Sequence, residues 1–182
     1  PDDAALLERT LVLGAAPGTV GFQELLESNI DAPATPIDPE TDVVVLPYSS
    51  GTTGISKGVQ LTHRNLVANL NQISTSIFTR DDIIIGLPPF FHIYGLTVVL
   101  QLGLYLGATN VILPRFEMNS FLDAIEGHGV THANLVPPLI LMLAKYPNLN
   151  PSRLKSLQTV QSGAAPLAAA SAVAFAERFD CR

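Results

Sequence analysis

The sequence predicts an α/β protein built on a mostly parallel sheet with flanking helices. Two observations support this fold class. Short apolar segments typical of strands alternate about five times with longer segments of helical periodicity. Glycine and proline separate most of these segments, as they do at the ends of strands and helices. Such alternation is typical of repeated β-α-β units, whose parallel strands lie buried between helices.

Residues 1–42 are predicted to be an N-terminal segment that ends in a linker. This segment contains one short helix candidate, GFQELLES. The following stretch, SNIDAPATPIDPETD, is rich in Pro, Asp and Thr, which favours an extended linker over residues 28–42. Residues 43–182 are predicted to belong to a single α/β domain.

The elements of this domain follow from local patterns. DVVVLPY is predicted to be a buried strand and GVQLT a second short strand. Thr62 is the expected N-cap of the helix HRNLVANLNQISTSIF, in which Leu66, Leu70, Ile73 and Ile77 recur at helical spacing. Strand and helix then alternate, strand first, in the order DIIIGLP, YGLTVVLQLGLYLG, TNVILP, NSFLDAIEGHG, THANLV, PPLILMLAKY, SLQTVQSG and PLAAASAVAFAERF.

Several of these helices carry end signals. Gly107 is the expected C′ residue of YGLTVVLQLGLYLG, because glycine adopts the left-handed conformation that ends many helices. Asn119 or Ser120 is expected near the N-cap of NSFLDAIEGHG. The two prolines of PPLILMLAKY stand at a helix start, where the missing N–H is tolerated.

The composition is unusually poor in charge. Charged residues make up 14% of the chain, against roughly 25% in typical soluble domains, and the mean hydropathy is +0.33. These values fit either a membrane protein or a core piece of a larger protein. The longest uncharged run, Ile83–Pro114, is broken by Gly and Pro. Its best helical part falls short of the roughly 20 residues that a bilayer requires, so a buried helix is favoured and no transmembrane segment is expected.

Charge and cysteine content exclude further classes. The net charge is −6 and no Lys/Arg cluster occurs, which argues against nucleic-acid binding. The single cysteine, Cys181, excludes an intrachain disulfide and fits a reducing compartment. PDDAALLERT lacks the features of a signal peptide, so a cytoplasmic location is expected. His128 and His132 are four residues apart, but Gly129 argues against one metal-binding helix face, and no metal ligand is expected.

The stretch SSGTTGISKG, after the first predicted strand, combines glycines, hydroxyl residues and one lysine. Such a loop can turn backbone N–H groups and hydroxyls toward an anion, although a plain surface loop has a similar composition. A Walker A motif is excluded, because Ser56 and Gly58 stand where that motif requires Gly and Ser/Thr. The residues expected to bind ATP phosphates are Ser49, Ser50, Gly51, Thr52, Thr53, Gly54, Lys57 and Gly58.

Two more unusual stretches, PPFFHIYG and SGAAP, also follow predicted strands. Ligands in parallel sheets bind beyond the carboxyl ends of the strands, so all three stretches are predicted to line one crevice. Each has a simpler alternative. His92 alone among apolar residues is typical of a core histidine, and SGAAP is typical of a tight strand-to-helix turn.

The loop has a specific resemblance. SSGTTGISKGVQLTHRNL resembles the signature loop of the adenylate-forming superfamily, which includes acyl-CoA synthetases, 4-coumarate–CoA ligases, luciferases and peptide-synthetase adenylation domains. It departs from that pattern at Ser56, where proline is commonest. PPFFHIYGL and QSGAAPL resemble two later segments of the family, in the same order. The overall likeness is closest to the 4-coumarate–CoA ligase and acyl-CoA synthetase branch, from about residue 40 onward.

This resemblance implies ATP-dependent activation of a carboxylic acid, followed by thioester formation with CoA, with Mg²⁺ accompanying ATP. It places His92 near the reacting carboxylate, Lys57 against the phosphates and Tyr94 in the acid pocket. It assigns one pocket wall and the adenine contact to Gly163, Ala164, Ala165 and Pro166. Arg115, in PRFEMNSFL, would reach toward CoA phosphates, although it also fits an ordinary solvated arginine.

Other parts of the family pattern do not occur in this sequence. They are the aromatic-Gly-x-Thr-Glu stretch, the ribose-binding Asp, the hinge Arg and the catalytic Lys of the C-terminal domain. The chain is therefore interpreted as an internal fragment of the large N-terminal domain, inactive without the remainder of its parent enzyme. Alternatives are an acyl-AMP ligase that serves a carrier protein, a luciferase-like oxidase, and a non-catalytic nucleotide-binding module. The acid is left open between a hydroxycinnamate and a medium acyl chain.

Overall fold

The computed structural model describes residues 10–27, 31, 33–49, 56–75 and 77–181. The chain forms two compact units, with the boundary between Ile37 and Asp38. In the first unit, the short strands β1 (Leu11–Val12) and β2 (Val20–Gly21) pair in parallel. They precede α1 (Phe22–Leu26), which confirms the helix predicted in GFQELLES. The β1–β2 pair was not predicted.

The second unit begins with an antiparallel ribbon of short strands. Its strands are β3 (Val43–Val45), β4 (Tyr48–Ser49), β5 (Lys57–Gly58) and β6 (Leu61–Thr62). β3 pairs with β6, and β4 pairs with β5. The prediction of a buried strand in DVVVLPY is therefore wrong, since Val43 is 43% and Tyr48 73% exposed. Pro47 has no N–H to donate and divides the segment into two strands.

A four-stranded parallel sheet forms the centre of the second unit and confirms the predicted fold class. Its strands are β7 (Ile83–Gly86), β8 (Thr109–Ile112), β9 (His132–Leu135) and β10 (Thr159–Ser162). Their order is β10-β9-β7-β8, and every neighbouring pair is parallel. Helical segments connect consecutive strands, as parallel pairing requires.

Helices cover both faces of this sheet. They are α2 (His63–Ile73), a π-helix (Tyr94–Gln101), α3 (Leu102–Leu106), α4 (Met118–His128), α5 (Pro137–Lys145), a 3₁₀ turn (Pro151–Leu154) and α6 (Ala169–Phe179). Ile84 packs with Leu70 and Val99 on one face, whereas Ile85 packs with Phe121 on the other. This alternation follows from the two-residue period of a strand. Within the described ranges, every helix is too short or too polar to cross a membrane.

The start of α2 agrees with the sequence prediction, but its end does not. Thr62 is the N-cap, and its hydroxyl accepts a hydrogen bond from the Asn65 N–H at 3.3 Å. The helix ends at Ile73, before the predicted limit. The Ser74 hydroxyl donates to the Asn71 carbonyl at 3.0 Å, and such side-chain bonds compete with the continuing helical ladder.

The end of α3 and the start of α4 can also be compared with the sequence predictions. Gly107 closes α3 in the left-handed conformation, with φ 76°, as predicted. Asn119 and Ser120 lie in the first turn of α4, near its cap as expected, while Glu117 is the N-cap itself. Its carboxylate accepts from the Asn119 N–H at 3.2 Å and the Ser120 N–H at 2.8 Å. A longer glutamate side chain reaches the same donors that shorter cap residues usually satisfy.

Candidate active site

The segments PPFFHIYG and SGAAP lie at the same edge of the sheet. The first follows β7 and the second follows β10, and both strands pair with the central strand β9. Because all these strands are parallel, their carboxyl ends share one edge. The Gly163 N–H donates to the Leu135 carbonyl at 3.1 Å, which ties the second segment to the end of β9.

Tyr94 joins the two segments. Its hydroxyl donates to Oδ1 of Asn134, on β9, at 3.2 Å. Its ring lies directly against Gly163, since a Cβ built there would lie 2.4 Å from the tyrosine Cζ. Contacts under 3.0 Å are essentially absent for real Cβ atoms, so this approach requires a glycine. Tyr94, Asn134 and Gly163 therefore form one contact cluster from three separate elements.

The helix that carries Tyr94 begins close to the preceding loop. A Cβ built on Gly95 would lie 2.3 Å from the Pro89 carbonyl oxygen. Only glycine allows the helix to start this near the proline loop. The first eight residues, Tyr94–Gln101, form a π-helix, a rare conformation that is frequent at functional sites. The sequence predicted a regular helix here, because helical periodicity does not distinguish the wider turn.

The surroundings of Tyr94 keep its hydroxyl protonated. Burial raises the pKa of Tyr94 to about 12, because a phenolate would lose its hydration. At physiological pH the side chain is therefore a neutral hydrogen-bond donor, as its bond to Asn134 requires.

His92 is exposed, so the alternative of a core histidine is wrong. Its Nδ1 accepts a hydrogen bond from the Tyr94 backbone N–H at 3.1 Å. A ring nitrogen that accepts carries no proton, so the neutral imidazole holds its proton on Nε2. This bond holds the imidazole against the backbone at the start of the helix.

A cavity of about 400 Å³ lies between α2 and the π-helix. We call it the α2 cavity. Its lining is mostly apolar, with two asparagines from α2, and comprises Leu61, Asn65, Leu66, Asn69, Ile93, Tyr94, Thr97 and Val98. Mostly apolar concavities with a few polar groups are typical of small-molecule sites. Tyr94 thus faces both this cavity and Gly163.

A second cavity, of about 360 Å³, lies beyond the ends of β7, β8 and β9. We call it the Arg115 cavity. Its lining comprises Leu87, Pro88, Pro89, Pro114, Arg115, Phe116, Asn134, Val136 and Leu139. Arg115 follows β8 and is exposed. The structure therefore brings this predicted residue to the same sheet edge as Tyr94 and Gly163.

The predicted phosphate loop has a different setting. Ser49 pairs with Lys57 across the β4–β5 hairpin, and both are exposed. The predicted residues Ser50, Gly51, Thr52, Thr53 and Gly54 lie outside the described residues. The strand before the loop belongs to the ribbon and not to the parallel sheet, so the prediction that all three stretches follow sheet strands is wrong. The ribbon still reaches the α2 cavity through Leu61.

The turn after β10 carries the other predicted wall residues. Ala164 has φ 68°, a left-handed conformation that is uncommon for a residue with a side chain. Ala164, Ala165 and Pro166 are all exposed at the sheet edge. The turn is thus both a tight strand-to-helix connection and an accessible surface beside Gly163.

Sequence reasoning missed Asn134. Its side chain is fully buried on the central strand, and its Nδ2 has no hydrogen-bond partner among the described residues. Asparagine is depleted in strands, so its place in the segment HANLV was the available signal.

Another cavity, of about 440 Å³, lies near the start of β7 and β9, where Asp82 and His132 line it. None of the predicted site residues lines that cavity.

Comparison with known proteins gives consistent matches. The family model described as AMP-binding enzyme matches residues 4–182. Probable 4-coumarate–CoA ligase 1 of Dictyostelium discoideum is 42% identical over 90% of this chain and 30% of its own length. 4-Coumarate–CoA ligase 3 of Oryza sativa subsp. japonica is 44% identical over 85% of this chain and 28% of its own length.

Among solved structures, ATP-bound MatB from Rhodopseudomonas palustris superposes with a TM-score of 0.71 at 31% identity. The match covers 80% of this chain and 29% of MatB. The chain thus spans under a third of the length of each of these three proteins.

Proposed function

Because the chain belongs to the AMP-binding enzyme family, we propose that the protein containing it converts a carboxylic acid and ATP into an acyl-adenylate and then into a CoA thioester. One observation carries this proposal. Tyr94 lies against Gly163 and donates its backbone N–H to Nδ1 of His92 at the carboxyl edge of the sheet, and Tyr94 also lines the α2 cavity. A mostly apolar cavity beside polar donors suits an acid with an apolar body.

The proposed reaction has two displacements. A carboxylate oxygen attacks the α-phosphorus of ATP, the bond to the β-phosphate oxygen breaks, and pyrophosphate leaves with the electron pair. The CoA sulfur, as thiolate, then attacks the acyl carbon, and AMP leaves. Neither step requires a covalent bond to the protein. The protein must instead position the reactants and stabilise the developing charge.

The acid would lie with its apolar part in the α2 cavity. Tyr94 and Gly163 would form its wall, and Nε2–H of His92 would donate to the carboxylate. Such a hydrogen bond would orient the carboxylate for its attack on ATP. The exposed turn of Ala164, Ala165 and Pro166 would contact the adenine. A cavity of about 400 Å³ is large enough for either a hydroxycinnamate or a medium acyl chain.

The phosphates would bind at the hairpin loop from Ser49 to Gly58. The β4–β5 pairing fixes the two ends of this loop, and Lys57 presents an exposed ammonium group beside it. A lysine serves a polyphosphate as a mobile point charge. The similarity to ATP-bound MatB supports ATP as the nucleotide.

Few of the described residues can be assigned to Mg²⁺ or to CoA. The described ranges contain no group of three His, Cys, Asp or Glu side chains that suits a metal ion. We therefore assign no Mg²⁺ ligand here, and Mg²⁺ would arrive with the triphosphate. Arg115 lines the Arg115 cavity and is exposed, so its guanidinium would pair with a CoA phosphate.

The test of the phosphate assignment is acid-dependent ATP–pyrophosphate exchange by the full-length protein. Lys57→Ala should lower the exchange rate by about 10²-fold, the usual loss when one transition-state donor is removed. Lys155→Ala removes another exposed lysine, outside the site, and should leave the rate unchanged. Equal rates for Lys57→Ala and the unmodified protein would refute the role of Lys57.

The same assay separates the activation step from the CoA step. Exchange with 4-coumarate or octanoate, and CoA-dependent release of AMP, would support the proposal. Exchange without any response to CoA would favour an acyl-AMP ligase instead. The 182-residue chain alone should show no exchange, because the resemblance assigns further essential groups to segments that this sequence does not contain.

A further inference from the structure

The β4–β5 hairpin that carries Lys57 is short and exposed. Each of its strands has two residues, and all four residues are exposed. A two-stranded hairpin is marginally stable in water by itself. The glycine in β5 weakens the hairpin further, because glycine loses much backbone freedom on folding and adds no side-chain packing. Side-chain contacts between the two strands are therefore needed to keep this hairpin closed.

Tyr48 supplies such a contact, because it pairs directly with Gly58 across the hairpin. A Cβ built on Gly58 would lie 3.4 Å from Cζ of Tyr48 and 3.7 Å from its Cε1. The ring therefore covers the glycine at the place where a side chain would otherwise stand. Aromatic rings opposite glycines stabilise antiparallel strands in this way.

Two hydrogen bonds lie on either side of this contact. On one side, the Val59 N–H donates to the Pro47 carbonyl at 2.9 Å. On the other side, the Ser56 hydroxyl donates to the Ser49 carbonyl at 3.5 Å, which is long for a hydrogen bond. The ring of Tyr48 thus supports the hairpin next to its weakly bonded end, which is also the end that carries Lys57.

The ring of Tyr48 and the side chain of Lys57 lie on opposite faces of the hairpin. Successive side chains of a strand alternate between its two faces. Gly58 faces Tyr48, so Lys57, which precedes it and pairs with Ser49, extends from the other face. The ring therefore does not occupy the space that a polyphosphate beside Lys57 would need. Its effect on Lys57 is transmitted by the backbone of β5.

We infer that Tyr48 is a positioning residue whose ring keeps the β4–β5 hairpin closed and thereby holds the ammonium group of Lys57 at the ATP phosphates. The stem of a lysine is flexible, so the position of its backbone limits where its charge can lie. This inference rests on the proposed function, because it takes Lys57 as a phosphate contact. Tyr48 itself acts through Lys57 and need not touch ATP.

The first test is ATP–pyrophosphate exchange by the full-length protein with 4-coumarate. Tyr48→Ala removes the ring and should raise the KM for ATP about two- to fivefold, as expected for the loss of one cross-strand pair. The KM for 4-coumarate should not change. Tyr48→Phe keeps the ring and should retain the original KM for ATP. Tyr105→Ala removes another exposed tyrosine ring, on α3, and should also leave the KM for ATP unchanged.

A second background tests whether Tyr48 acts through Lys57. In a Lys57→Ala protein the ammonium group is absent, so adding Tyr48→Ala should lower kcat/KM for ATP no further.

Trypsin provides a measurement that does not depend on activity, because it cleaves after lysine in segments that open locally. Cleavage of the full-length protein after Lys57, followed by mass spectrometry, should be about two- to fivefold faster in Tyr48→Ala. Cleavage after Lys155, an exposed lysine outside the hairpin, should keep its rate.

Several results would overturn the inference. An unchanged KM for ATP in Tyr48→Ala, with normal exchange by the unmodified protein, would refute this inference alone. Effects of Tyr48→Ala and Lys57→Ala that multiply in the double variant would mean that Tyr48 does not act through Lys57. Equally faster cleavage after Lys57 and Lys155 would indicate only a weakened fold. No exchange by the unmodified protein with 4-coumarate or octanoate would refute the proposed function and this inference with it.

Discussion

An alanine at position 163 would place a methyl group against the ring of Tyr94. A Cβ built on Gly163 lies 2.4 Å from Cζ and 2.6 Å from the hydroxyl oxygen of Tyr94. A shift of the ring away from this methyl group would strain its 3.2 Å hydrogen bond to Asn134. We therefore expect Gly163→Ala to destabilise the fold and to disturb the proposed acid pocket at the same time.

The magnitude follows from three contributions. Overpacking of this kind costs about 1–3 kcal/mol, and that range includes about 1 kcal/mol for the lost hydrogen bond. Replacing glycine by alanine also restricts the unfolded chain, which stabilises the fold by about 0.4–1 kcal/mol. The net expectation is a loss of about 1–2 kcal/mol in the free energy of unfolding.

The assay is thermal unfolding of the full-length protein, together with the KM for 4-coumarate. Gly127→Ala is the matched control, because a Cβ at Gly127, within α4, meets nothing within 4 Å. Alanine in a helix is favoured over glycine by about 0.5–1 kcal/mol. Gly127→Ala should therefore raise the melting temperature, whereas Gly163→Ala should lower it and raise the KM.

A second background tests the cause. In a Tyr94→Ala protein the obstructing ring is absent, so Gly163→Ala should produce no further destabilisation. The reasoning would be refuted if Gly163→Ala behaved like Gly127→Ala. It would also be refuted if the full loss persisted in the Tyr94→Ala background, because the ring would then not be its source.

Three other predictions concern stability, each measured by unfolding of the full-length protein. Thr62→Ala removes the N-cap of α2 and should cost about 1 kcal/mol, while Thr62→Ser should cost little. Arg178→Lys should lower the free energy of unfolding by about 1–2 kcal/mol. The guanidinium donates to two carbonyls in the last turn of α5, at 2.7 and 3.2 Å, and lysine lacks that planar arrangement of donors. An unchanged melting temperature would contradict this role. Burial lowers the pKa of His132 from its usual 6.5, although Asp82 opposes the shift. Protonation of His132 therefore favours the unfolded state. The contribution of the neutral side chain to the free energy of unfolding is fully present above pH 6.5 and is lost as the pH drops toward the folded-state pKa. His132→Asn should flatten this dependence between pH 7 and 5, and an unchanged slope would exclude His132 as its cause.

Elements with strong local signals were predictable. Thr62 caps α2 and Gly107 closes α3, because capping depends on a few neighbouring residues. The alternation of strands and helices likewise indicated the parallel sheet, because each apolar segment had a strand or helix periodicity and most were bounded by glycine or proline.

Elements that depend on distant partners were not predictable. The apolar pattern of DVVVLPY predicts a buried strand, but its pairing partners Lys57–Gly58 and Leu61–Thr62 place it in an exposed ribbon. The apolar residues alone do not say which strand will pair with them. The sequence did not predict the π-helix at Tyr94–Gln101 for a related reason. Its start depends on the close approach of Gly95 to Pro89.

The chemistry of the separate segments was determined by the sequence alone. Gly-rich, hydroxyl-rich residues around Lys57, the histidine and tyrosine of PPFFHIYG, and the small residues of SGAAP were recognisable as such. Only the tertiary structure decided that Tyr94 would meet Asn134 and Gly163. That meeting depends on the strand order β10-β9-β7, which places β9 between the two segments. Parallel pairing joins residues far apart in the chain, so no local pattern specifies which side chains will share one sheet edge.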